Sequence, residues 1–117
     1  MSEDTSLPYL QYQAWATAEE HGWHEEGETN LVPVKLALIH SEVSEALEEY
    51  RKDDITGREI YYNPGNLKPE GFGIELADIV IRVLDLAESL DIDMDECLAV
   101  KMKYNESRPY KHGGKRV

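Results

Sequence analysis

Apolar positions recur with helical spacing along most of this chain, and four helices follow from them. From about Pro8 to His21, Leu10, Ala14 and Ala18 share a face with Trp15 alongside, and Gly22 marks the end. A second helix is predicted from about Leu31 to Lys52. Thr29 or Asn30 is placed to cap it, and Pro33 fits its first turn. Ile39, Val43, Ala46, Leu47 and Tyr50 make its apolar face, with Glu42, Glu45 and Glu49 on the flank. A third helix is expected over about Ile74 to Leu90. The fourth begins at a capping box, Asp93 with Glu96 three residues on, and runs to about Ser107, where Pro109 ends it. Between the second and third helices, residues 53–73 hold Gly57, Pro64, Gly65, Pro69, Gly71 and Gly73, which spell a long connection. Within it Ile60-Tyr61-Tyr62 reads as a short strand or hairpin edge, and residues 1–6 read as frayed. The expected class is all-α, a four-helix bundle in a single domain spanning residues 1–117.

The third helix departs from ordinary amphipathic patterning. At about 100° per residue, Glu75, Asp78, Arg82 and Asp85 fall inside an arc of about 80°, and every other position from 74 to 87 is apolar. A charge stripe is usually a solvated face. One this narrow fits better a helix packed on most sides with a single polar slot. Such a helix is apolar over more surface than one four-helix layer covers, so assembly through helix–helix dimerisation is expected.

That slot has a counterpart. Glu42-Val-Ser-Glu45 and Glu75-Leu-Ala-Asp78 each place two carboxylates at i, i+3, on one helix face about a turn apart. Four carboxylates brought together repel one another, and a hard cation such as Mg2+ relieves that repulsion. Oxygen ligands without paired His or Cys favour Mg2+ or Mn2+ over zinc. A di-iron carboxylate bundle needs Glu-x-x-His motifs, and neither pair has a His at the third position.

Composition narrows the function further. At 117 residues, 41% hydrophobic and 31% charged, the chain holds one core. Its longest apolar runs fall short of a membrane span and its acidic N-terminus is no signal peptide, so a cytoplasmic protein without a membrane partner is expected. Cys97 stands alone, which excludes an intrachain disulfide and a thiolate cluster, and is expected in the core. A net charge of −12 argues against a nucleic-acid polymer as partner. The charge is uneven: residues 1–100 carry 23 acidic and 6 basic side chains, residues 101–117 carry 1 and 6. Lys101, Tyr104, Asn105 and Arg108 share one face of the fourth helix, and Lys111 follows in a flexible basic tail of about residues 109–117. These groups suit a phosphate grip; equally, cations near a helix C-terminus complement its dipole. Trp15, Trp23 and His24 are candidates for an aromatic base pocket, or for plain core packing.

Taken together, Glu-x-x-Glu on one helix and Glu-x-x-Asp on the next resemble the metal signature of the MazG-like all-α nucleoside triphosphate pyrophosphohydrolases. Gly71-Phe-Gly-Ile-Glu-Leu-Ala-Asp-Ile-Val-Ile-Arg82 and Lys101-Met-Lys-Tyr-Asn-Glu-Ser-Arg-Pro-Tyr-Lys-His-Gly-Gly-Lys115 are similar to further blocks of small members of that family. The likeness covers roughly residues 30–52 and 69–116. It implies a homodimer or dimer of dimers, and Mg2+-dependent cleavage of a nucleoside triphosphate between its α and β phosphates. It also implies Glu42, Glu45, Glu75 and Asp78 as metal ligands, with Lys101, Asn105, Tyr104 and Arg108 on the substrate. Many members open the first motif with two glutamates, the earlier one proposed to activate water. Here that position is Ser41, so either a metal-bound hydroxide suffices or another carboxylate does the work, with Glu49 and Glu45 the nearest candidates.

Overall fold

The computed structural model describes residues 5–24, 32–52 and 60–109. Over these residues the chain is mostly helical: α1 (Leu7–Glu20), α2 (Val32–Lys52), α3 (Phe72–Ser89) and α4 (Met94–Ser107), with a hairpin of β1 (Tyr61–Tyr62) and β2 (Pro69–Glu70) before α3. The expected caps Thr29 and Asn30, most of the expected tail and its Lys111 lie outside the described residues.

The helix ends follow local chemistry. After α1, Gly22 takes φ 78°, while its N–H bonds to the Glu19 carbonyl and that of Trp23 to the Ala18 carbonyl at 2.9 Å. This paired closure needs a left-handed residue, which glycine adopts without a Cβ penalty. The same closure ends α3, with Asp91 at φ 57° and Ile92 N–H on the Ala87 carbonyl. Asp93 caps α4 as expected, its carboxylate accepting from Glu96 N–H at 3.0 Å. In the hairpin, Tyr61 pairs with Glu70 and Tyr62 with Pro69 in antiparallel register, and Asn63 Oδ1 accepts from Gly65 N–H to hold the turn. Gly71, at φ 126°, then bends the chain into α3.

α3 is the centre of the packing, with α1 on one side and α2 on the other. Its burial reverses the simplest expectation. Leu84, Asp85 and Ala87 are its buried residues, whereas Leu76, Val80 and Ile81 are 45–53% exposed. α2 is turned likewise: Glu42 and Ala46 are buried, and Val43, Leu47 and Tyr50 of the expected apolar face stand open. α4 contributes no buried residue. It packs on α1 rather than closing a four-helix layer with α2 and α3. Cys97, on α4, is exposed rather than in the core.

One side chain fixes the corner from which α4 departs. Gln11 of α1, 6% exposed, donates to Glu88 at 3.1 Å and to the Ile92 carbonyl at 2.7 Å. Its own amide oxygen accepts from Met94 N–H at 3.3 Å. The amide thus satisfies three polar groups of the α3–α4 junction that packing removes from water.

Candidate metal site and adjoining cavity

α2 and α3 face each other through a polar seam. Lys35, Leu38, Glu42, Glu45 and Glu49 recur along one side of α2 at three- and four-residue steps. Glu75, Asp78, Arg82 and Asp85 do the same on α3. Because the side chains meet in this order, acidic groups collect at one end of the seam and cations at the other.

At the acidic end, one carboxylate oxygen from each of Glu42, Glu75 and Asp78 lies within 4.8 Å of the others. Burial raises the Glu75 pKa above its ordinary value, and the charges of Glu45, Asp78, Glu42 and Glu49 push it the same way. Asp78 is raised by burial and by Glu42, against the pull of Arg82 and Lys68. Glu75 Oε2 is buried with no hydrogen-bond partner, an arrangement a protein seldom keeps without a purpose. Glu42 is held by Arg82, whose Nε donates to it at 2.8 Å. A small, hard cation fits this donor set, since it pairs with the orphaned oxygen and removes the mutual repulsion.

The fourth expected ligand, Glu45, is exposed and stands outside the three-oxygen group, although its charge acts on Glu75. Glu49 is already engaged. Tyr61 OH donates to one of its oxygens at 2.7 Å and Lys52 to the other at 2.9 Å, which docks the hairpin onto α2. Ser41 Oγ turns back to the Leu38 carbonyl of its own helix at 2.6 Å.

At the other end of the seam lies a cavity of about 340 Å³ lined by Gly22, Trp23, Lys35, Leu38, Arg82 and Asp85. Trp23 is 54% exposed, with the Arg82 guanidinium 5.6 Å from its ring centroid. Lys35 Nζ sits 3.7 Å from Asp85 Oδ2, an ion pair too long for a hydrogen bond. His24 and Trp15 support this cavity from behind. His24 stacks on Trp15 at 25° and 5.5 Å, and its two ring nitrogens meet Asp85 at 2.7 Å and Glu19 at 2.8 Å. Both nitrogens are therefore committed within the protein.

The α4 residues assemble separately. The Lys101 ammonium and the Arg108 guanidinium lie 5.2 and 5.7 Å from the centroid of the Tyr104 ring. Asn105 is exposed beside them. Among the described residues, no hydrogen bond or ion pair joins this group to Glu42, Glu75 or Asp78. Lys35, like Leu38, is a cavity residue that the sequence pattern did not single out. Its signal was the seven-residue step to Glu42, which sets both on one face of α2. No described helix is long and apolar enough to cross a membrane. No family model, curated protein or solved structure matches this chain.

Proposed function

We propose that this chain is a Mg2+-dependent nucleoside triphosphate pyrophosphohydrolase, cleaving ribo- or deoxyribonucleoside triphosphates to the monophosphate and pyrophosphate. The observation that carries this reading is Glu75 Oε2, buried and unpartnered beside Glu42 and Asp78. Those three carboxylates would hold the cation, with Mn2+ an acceptable substitute. When bound, the ion supplies charge screening and polarisation of the phosphoryl group. Arg82 fixes the Glu42 carboxylate in place. Glu45, exposed next to Glu75, is the carboxylate free to take a proton from water. Glu49 has both oxygens committed to Tyr61 and Lys52 and serves to anchor the hairpin. The MazG-like resemblance of the two motifs supports the same chemistry.

The reading includes a homodimer or dimer of dimers. Val43, Leu47 and Tyr50 on α2, Leu76, Val80 and Ile81 on α3, and Leu98, Val100, Met102 and Tyr104 on α4 are each 41–65% exposed. That much open apolar surface is uncommon on a monomer. In an assembly of copies, Lys101, Tyr104, Asn105 and Arg108 can serve a seam that they do not reach in their own protomer.

The test is pyrophosphate release from a panel of nucleoside triphosphates, with Mg2+ and with EDTA. Metal-dependent release with stoichiometric monophosphate is expected, and Glu75→Gln should abolish it while the helical circular dichroism signal stays. Release that is indifferent to EDTA would end the proposal. A second reading, a nucleotide- and metal-binding regulatory dimer without turnover, draws on Ser41. Its hydroxyl is spent on the Leu38 carbonyl, so no base stands at that position. Mg2+-dependent nucleotide binding without any pyrophosphate would favour it.

A further inference from the structure

The cavity at the cationic end of the seam has a definite hydrogen-bonding character. Its side-chain polar groups are the Trp23 indole N–H, the Lys35 ammonium, the Arg82 guanidinium and the Asp85 carboxylate. The first three only donate. Asp85 is the one acceptor, with Oδ1 on His24 and Oδ2 held by charge 3.7 Å from Lys35 Nζ. The donors are largely unspent. Arg82 uses only Nε among the described residues, and the Lys35 ammonium has no hydrogen bond although its side chain is 12% exposed. Three donor side chains against one acceptor favour a ligand that brings mainly acceptors.

Charge decides which acceptors. Lys35 is neutralised by Asp85 and Arg82 by Glu42, so the cavity has little excess positive charge to offer a phosphate. The Trp23 ring and Leu38 supply apolar wall, and indole suits a flat partner. A neutral, planar group with carbonyl oxygens on its edge meets all three conditions. A volume of about 340 Å³ is ample for it.

We propose that this cavity takes the nucleobase and selects 6-oxopurines and 4-oxopyrimidines (guanine, thymine or uracil) over adenine and cytosine, with Lys35 and Arg82 donating to the ring carbonyls. The proposal rests on the nucleotide reading above and names its substrate class. An exocyclic amine at that edge would set donor against donor, where a ring carbonyl would accept from Lys35 and Arg82, which is how such sites discriminate.

The experiment separates this from hydrolysis by removing the metal. In EDTA, dGMP, dTMP, dAMP and dCMP are titrated by calorimetry, with inorganic pyrophosphate as a competitor. Expected is binding of dGMP and dTMP at least about tenfold tighter than of dAMP and dCMP, the size of one lost hydrogen bond to a charged donor. Lys35→Arg should keep this preference and Lys35→Met should remove it. Trp23→Ala, at an exposed position that folding tolerates, should weaken all four. Equal affinities, an adenine preference, or no monophosphate binding would overturn the proposal. So would displacement by pyrophosphate that is lost in Lys35→Met, since the cavity would then be a phosphate site. Base preference in EDTA from a chain that never releases pyrophosphate would sink only the hydrolysis reading. Turnover without base preference would sink only this one.

Discussion

The α2–α3 seam and helix α4 use the same residue types in opposite ways. The seam buries charge: Glu42 and Asp85 are each 8% exposed, and its four α3 side chains face inward while Leu76, Val80 and Ile81 of the same helix face out. α4 leaves apolar groups open, with Val100 at 65% and Met102 at 62% exposed. Burying carboxylates costs free energy that only partners repay, and exposing apolar side chains forgoes about 25 cal/mol per Å². Each region is therefore costly as it stands: a bound cation would relieve the seam, and a covering surface would relieve α4.

The sharpest way to break this contrast is to remove the carboxylates proposed to hold the cation. Asp78→Asn and Glu75→Gln are each expected to lower kcat by at least about 100-fold, the scale of losing a group that stabilises transition-state charge. Retained turnover in either variant would mean that the carboxylates are structural. Next in size is the cover. Val80→Lys with Met102→Lys should shift the chain from dimer to monomer in analytical ultracentrifugation, with each helix intact by circular dichroism. A monomeric parent would show that the open faces have another purpose.

The third effect concerns the junction between the two regions. Gln11→Ala leaves Ile92 C=O and Met94 N–H without their partner and should cost about 2 kcal/mol in urea unfolding. A change within error would mean that water replaces the amide. The fourth is pH. Burial and neighbouring carboxylates raise the pKa values of Glu75 and Asp78 in the folded chain, so at these two sites the fold binds protons more tightly than the unfolded chain does. Without metal, the stability these two groups contribute is fully present at acid pH and is lost as pH rises through their raised pKa values. Melting temperatures in EDTA should decline across that range, and Mg2+ should restore them near neutrality. A flat profile would show that the repulsion is relieved otherwise. Smallest is Asp93→Ala, which loses the α4 cap at a cost of about 1 kcal/mol by chemical unfolding.

How much of this was legible in the sequence differs by feature. Helix limits were, because Gly22, Asp93 and Pro109 act on their own neighbours. The carboxylate pairs and the narrow stripe on α3 were, because helical spacing fixes which side chains share a face. The inward turn of α2 was not. Its acid flank and its Val43–Leu47–Tyr50 face lie side by side, and only the charged stripe of α3 decides which one meets it. Cys97 went astray for a related reason: a helix pattern shows which face is apolar, never whether anything covers it. His24 and Trp15 were seen as pocket candidates, but the carboxylates of Glu19 and Asp85 that occupy the imidazole come from two different helices.

The Gln11 amide has a mechanical consequence. α4 is a rod of 14 residues, about 21 Å long at 1.5 Å per residue, and its first residue, Met94, is tied by the Gln11 amide to Glu88 of α3 and the Ile92 carbonyl. Turning that corner by about 10° swings the far tip, which carries Tyr104 and Arg108, by about 4 Å over the length of such a rod. The bearing of the basic end of the molecule is thus set by a neutral amide on α1, more than a full helix length away.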